Sequence, residues 1–135
     1  MTTQIRVLLV DDQPAIRQGL RLRLTTEPDM MIVGEAGDGE EALELAALVS
    51  PDVIVLDISM PGMDGFEAAR RLSAAGHAVI VMLSLHDDPA SRARALAAGA
   101  TVFVAKHEAD ALLVDAIRQV AAGAGGRGQL TNGGP

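Results

Sequence analysis

Short apolar runs rich in β-branched residues recur along the chain at Ile5–Val10, Met31–Val33, Val53–Leu56, Ala78–Leu83 and Thr101–Val104. Each has the length of a strand, and none alternates strictly with polar residues, which predicts a sheet covered on both faces. Helical spacing fills the gaps between them. Ile16, Leu20 and Leu24 recur at every fourth position, with Arg17 and Arg21 predicted to turn to solvent, and Leu113, Ile117 and Val120 trace a similar stripe near the end. Start signals agree: Asp38 with Glu41 and Asp64 with Glu67 have the spacing of capping boxes, and Pro14 and Pro89 suit a first helical residue. The Ala-rich stretch Ala90–Ala98 ends at Gly99, which reads as a C-cap.

Five strands alternating with five helices predict a doubly wound α/β domain built on a parallel sheet. In such sheets ligands bind outside the carboxyl ends of the strands, near the point where the winding reverses. The strand ends are therefore the place to look for chemistry. In chain order they offer Asp11 and Asp12, then Glu35, Asp57, Ser84 and Lys106. Taken singly, Asp12 reads as a helix cap, Ser84 as a hydroxyl bonded to its own loop, and Lys106 as a solvated surface lysine. Taken together at equivalent strand positions, they read as a site.

Three carboxylates held close repel one another, which raises at least one pKa unless a cation neutralises them. A hard divalent ion such as Mg²⁺ is the fitting partner, since it takes a few carboxylate or carbonyl oxygens and shares its coordination with phosphate. A carboxylate in that position can also act as a nucleophile and form an acyl phosphate. The lysine and the hydroxyl would then meet the phosphoryl oxygens. Glu35 joins no part of this constellation.

Composition narrows the picture. The chain has 135 residues, 49% of them hydrophobic and 21% charged, which fits one globular domain. No apolar run approaches the roughly 20 residues of a membrane span. Met1 to Gln4 is polar and the first apolar run stops at Asp11, which predicts no signal peptide and a cytoplasmic protein. With no cysteine, disulfides and thiolate metal sites are excluded. A net charge of -7 speaks against nucleic-acid binding by this chain alone. Ten of the eleven basic residues are arginine, which singles out Lys106.

From Gly123 the chain turns Gly-rich and aperiodic, which predicts a folded domain over residues 1–122 and a flexible tail or linker start over 123–135. Gly123, Gly125 and Gly128 match G-x-G-x-x-G, but they follow a helix and open none, so no dinucleotide site is expected. Residues 86–88, "HDD", match a metal-ligand pattern only loosely, and Asp88 before Pro89 reads as a helix cap.

The segments "LLVDDQP", "VIVLDISMPGMDGFEAARRL", "VIVMLSLHDD" and "AGATVFVAKHEADALLVDAIRQV" resemble, in this order and spacing, a CheY-like response-regulator receiver domain of two-component signalling. Within that family the chain is most similar to receivers carrying a LuxR-type helix-turn-helix output domain, the NarL/FixJ subfamily, and the likeness covers residues 5 to 122. The resemblance implies a flavodoxin-like (βα)5 fold with strand order 2-1-3-4-5. It implies Asp57 as phosphoacceptor, and Mg²⁺ held by Asp11, Asp12, Asp57 and the backbone carbonyl of Ser59. Ser84 matches the switch hydroxyl, Lys106 the phosphoryl-contacting lysine, and Phe103 the aromatic that changes rotamer on activation. A sensor histidine kinase would be the partner. Homodimerisation would use the first and fifth helices, or the face of the fourth and fifth, where Arg92 and Arg94 are either solvated or in contact. The output would be transcription, through a DNA-binding domain that this chain does not contain, or contact with another protein.

Three positions depart from the family's pattern: His107 follows Lys106 where many receivers have proline, Leu85 is larger than the residue common after the switch hydroxyl, and Phe103 lacks a tyrosine hydroxyl. Ser59 and His86 lie where receivers tune dephosphorylation. Two other readings compete. A metal-dependent phosphohydrolase would use Asp57 as nucleophile, but Asp57-Ile58-Ser59 supplies no second carboxylate for acid catalysis. A flavodoxin would set a phosphate against "VDDQP", which presents two negative charges, with no Tyr or Trp to stack on a flavin.

Overall fold

In the computed structural model, residues 4–60, 62–76, 78–85 and 88–133 are described, with side chains through residue 123. The strands are β1 (Ile5–Val10), β2 (Met30–Ala36), β3 (Val53–Asp57), β4 (Val79–Ser84) and β5 (Val102–Ala105). The helices are α1 (Pro14–Thr25), α2 (Gly39–Val49), α3 (Gly65–Ala75), α4 (Pro89–Ala97) and α5 (Ala109–Gly133), with a 3₁₀ turn at Lys106–Glu108 ahead of α5. All strand pairings are parallel, in the order β2-β1-β3-β4-β5. This is the flavodoxin-like topology expected.

Period-two alternation divides the core into two layers. Val7, Leu9, Val53, Val55, Val81, Leu83 and Val104 meet Leu24 of α1 and Leu113, Ile117 and Val120 of α5 on one face. Leu8, Val10, Ile54, Leu56, Ile80, Met82 and Phe103 meet α2, α3 and α4 on the other, through Ala42, Ala46, Phe66, Leu72 and Ala95. All five residues of β3 are buried, as an apolar run at the centre of a doubly covered sheet requires.

The edge strand β2 departs from simple alternation. Its register against β1 shifts between Val7 and Leu8, whose partners are Ile32 and Gly34, so Val33 is an extra, bulged residue. Before the bulge Met30 and Ile32 belong to the α1/α5 layer, and after it Ala36 belongs to the α2/α3 layer. One inserted residue has swapped the faces. Glu35, predicted to stand alone, consequently faces α1 and pairs with Arg17 (3.4 Å) and Arg21 (3.3 Å). The carboxylate bridges two arginines predicted to turn to solvent: Arg21 does so, with 48% of its side chain exposed, while Arg17 is mostly covered.

The helix starts behave as expected. Asp38, Asp64 and Asp88 accept hydrogen bonds from the backbone N–H groups of Glu41 (2.8 Å), Glu67 (2.9 Å) and Ser91 (3.1 Å). Only half of each predicted capping box forms: Glu41 accepts from the Gly37 N–H, and Glu67 pairs with Arg70 and Arg71. Gly99 lies just past the end of α4 with φ of 112°. Ile16, placed on the inward stripe of α1, is 37% exposed, whereas Leu24 is buried. The backbone of α5 continues as helix to Gly133, through the stretch that composition reads as a tail. Among the described residues, Val120 and Ala121 are the last of α5 in the core. No described helix is long and apolar enough to cross a membrane.

Candidate functional site

Among the described residues the buried polar or charged side chains are Asp11, Asp57 and Ser84, at 1%, 2% and 2% exposure. All three stand at the carboxyl edge of the sheet. Asp57 and Ser84 end β3 and β4. Asp11 follows β1, its N–H donating to the Ala36 carbonyl at 3.1 Å. Because β2 and β3 flank β1, the winding reverses there, and Asp11, Asp12 and Asp57 collect at the switch point. One oxygen from each of these carboxylates lies within 4.8 Å of the others.

Lys106 enters from the end of β5. Its Nζ lies 3.1 Å from Asp57 Oδ1 and 3.3 Å from Asp11 Oδ2. Burial alone would lower the Lys106 pKa, but the negative charges of Asp57 and Asp11 outweigh it and raise the ammonium above its usual value. Asp57 is also pushed up, first by burial and then by the charge of Asp11; Lys106 and the backbone N–H of Ser59 offset only part of this. The repulsion was foreseeable from sequence, and the burial is the larger cause. Three carboxylates against one ammonium leave the site short of positive charge.

A metal ion would correct the shortfall, and the donors fit one. Asp11 Oδ1 is used by the Gln13 N–H at 2.9 Å, while Asp11 Oδ2 is buried with no hydrogen bond of acceptable geometry despite Lys106 nearby. A buried carboxylate oxygen whose one partner is an ammonium at 3.3 Å, itself shared with Asp57, is incompletely satisfied, and a hard cation would complete it. Asp12 is not spent on capping: the N-cap of α1 is Gln13, which makes no side-chain capping bond.

The loop after β3 is held close beneath the site. The Gly65 N–H donates to the Ile58 carbonyl at 2.8 Å, and a Cβ on Gly65 would fall 2.4 Å from Ile58 Cα and 2.5 Å from the Asp57 carbonyl oxygen. Gly62 turns with φ of 72°. Ser59 is exposed in this loop and Met60 is buried.

Phe103, on β5, is 7% exposed, and the Arg92 guanidinium lies 4.8 Å from its ring centroid. Arg94 similarly covers Phe66 at 4.1 Å. These two arginines, read as solvated or at an interface, cap aromatic rings. Leu85 is 71% exposed beside Ser84. His107 lies in the 3₁₀ turn that follows β5. His86 and Asp87 of the "HDD" stretch lie outside the described residues, and Asp88 is the cap of α4.

A family profile described as the response regulator receiver domain matches residues 7–118. The chain belongs to the response regulator receiver family. The receiver is 41% identical over 119 residues to the transcriptional regulatory protein UhpA of Escherichia coli (strain K12), covering 88% of this chain and 60% of that protein. It is 38% identical over 120 residues to the response regulator UvrY of the same strain, covering 88% and 55%. Among solved structures it is similar to a LuxR-family two-component response regulator from Aurantimonas sp. SI85-9A1, with a TM-score of 0.84, 37% identity, and 90% and 87% of the two chains covered. The response regulator domain of Thermotoga maritima CheB superposes with a TM-score of 0.83 at 35% identity, covering 88% and 97%. The receiver spans 55% to 60% of the length of these curated relatives.

Proposed function

We propose that Asp57 accepts a phosphoryl group from the phosphohistidine of a sensor histidine kinase, in a Mg²⁺-dependent step, and that the acyl phosphate switches the receiver between two states. The observation that carries this reading is the burial of Asp57 at a strand end between the Asp11 carboxylate and the Lys106 ammonium. Asp57 Oδ attacks phosphorus, the phosphorus–imidazole nitrogen bond breaks, and the electron pair leaves with the kinase histidine. Asp11, Asp12, Asp57 and the Ser59 carbonyl would hold the Mg²⁺, which neutralises charge on the transferred phosphoryl group when bound. Lys106, already within reach of the nucleophilic carboxylate, pairs with a phosphoryl oxygen once Asp57 is acylated.

The Ser84 hydroxyl then draws toward the phosphate, and Phe103 turns into the space released. Arg92 loses its ring partner in that change, which carries the event to the face formed by α4, β5 and α5. The receiver stores an acyl phosphate and does not turn over a substrate, so we do not read it as an enzyme. The output we propose is control of transcription through a DNA-binding domain, in keeping with the relatives' description as transcriptional regulatory proteins, with contact to another protein as the alternative. The receiver unit ends near residue 122, and its place is the cytoplasm.

Intact-mass spectrometry after incubation with acetyl phosphate or phosphoramidate tests this. The parent gains one phosphoryl mass with Mg²⁺ and none without it, and Asp57→Asn gains none. A folded parent that stays unmodified with every donor contradicts the proposal.

A further inference from the structure

Asp11 is held at three points before any ligand arrives. Its N–H donates to the Ala36 carbonyl, its Oδ1 accepts from the Gln13 N–H, and its carbonyl oxygen accepts from Arg17 Nη1. The last contact comes from a side chain that never enters the site. Arg17 uses its Nε on Glu35 Oε1 at 3.4 Å, so one guanidinium joins the turn after β1 to strand β2. Arg21 holds the other oxygen of Glu35.

We propose that Arg17 is a positioning residue for metal binding: by clamping the Asp11 carbonyl to Glu35 it aims both Asp11 and Asp12 into the site. The inference rests on reading these carboxylates as Mg²⁺ ligands and adds a residue to that reading. The carbonyl that Arg17 holds belongs to the planar peptide unit joining Asp11 to Asp12, so fixing its direction steadies the backbone from which both side chains leave. Groups behind a metal ligand commonly tune affinity as strongly as this. The clamp uses two separate nitrogens of one planar fork, Nη1 on the carbonyl and Nε on the carboxylate, a separation that a lysine would have to span from a single nitrogen. Arg17 is also the better shielded of the two arginines, at 20% side-chain exposure against 48% for Arg21. Its partner Glu35 faces α1 because of the Val33 bulge, so the bulge is part of the device.

The test is a Mg²⁺ titration followed by amide NMR shifts of the Asp12 and Gln13 backbone, which reads binding and not phosphorylation. Arg17→Met keeps the apolar stem and removes the fork. It is expected to raise the half-saturating Mg²⁺ concentration about tenfold, with Arg17→Lys also weakened. Arg23→Ala, which removes an ion pair to Glu27 farther along the same helix, is expected to match the parent. Equal half-saturation in the parent and Arg17→Met overturns the inference, as does an equal shift in Arg23→Ala. Should Arg17→Met not fold, Glu35→Gln carries the same expectation and the same refutation. A parent that binds no Mg²⁺ overturns the metal reading itself, and this inference with it.

Discussion

Asp57 sits where an ionised carboxylate is least welcome in this fold, buried at the end of the central strand beside a second buried acid. Burial first, and then Asp11, raise its pKa above the ordinary carboxylate value that holds in the unfolded chain. Between the ordinary and the raised value the folded state keeps a proton that the unfolded state has released, so stability falls as pH rises through that window. Above it, the ionised group is a standing cost. Asp57→Asn should therefore melt at a higher temperature than the parent at pH 7 without divalent ions, and the gap should close as pH falls below the ordinary carboxylate range. A lower melting temperature for Asp57→Asn at pH 7 would contradict this assignment. The places of Asp11, Asp12, Asp57, Ser84 and Lys106 on one rim were readable in advance, because each stands at or just past the end of an apolar run. Arg17 and Glu35 were not, because their pairing spans 18 residues and depends on the bulge at Val33, whose only trace in the sequence is one more apolar residue in an apolar run.

At the scale of elements, the site depends on how closely α3 docks under β3. Gly65 opens that helix with its backbone against Asp57 and Ile58, and a methyl group there has nowhere to go without moving backbone. Gly65→Ala is expected to cost about 1–3 kcal/mol of stability, as overpacking in a core does, and to slow phosphorylation because the displaced loop carries Ser59. Urea denaturation checks the first part; an unchanged midpoint would show that the loop yields freely. Strand positions and helix caps were legible because apolar runs and capping residues are local signals. Most strand ends moved by about a residue, with β3 and β4 taking in Asp57 and Ser84, while β2 runs three residues past Val33 to Ala36, since a ladder stops where pairing stops rather than where apolar character does. The continuation of α5 to Gly133 was not legible, because composition registers the glycines and not the helix already running into them.

At the scale of the whole molecule, a parallel sheet places every strand's carboxyl end on one rim, and the order β2-β1-β3-β4-β5 sets β1 and β3 side by side at the reversal. Two acids from one turn and one from the neighbouring strand then meet without any long-range recognition between them. Lys106 arrives from the far edge of the same sheet, and its side chain reaches back across β4 to both buried acids. The fold thus concentrates negative charge at one point and supplies a single ammonium to it. That imbalance is what a metal ion would resolve, the more so once a phosphoryl group adds its own negative charge, and it makes the location of the phosphate the decisive observation. Borohydride reduction of the acetyl-phosphate-treated receiver, followed by peptide mapping, reads that location directly, because an aspartyl phosphate is reduced to homoserine where it stood. Homoserine is expected at position 57 alone, formed only when Mg²⁺ was present. Homoserine at another aspartate, or at 57 without Mg²⁺, would contradict it.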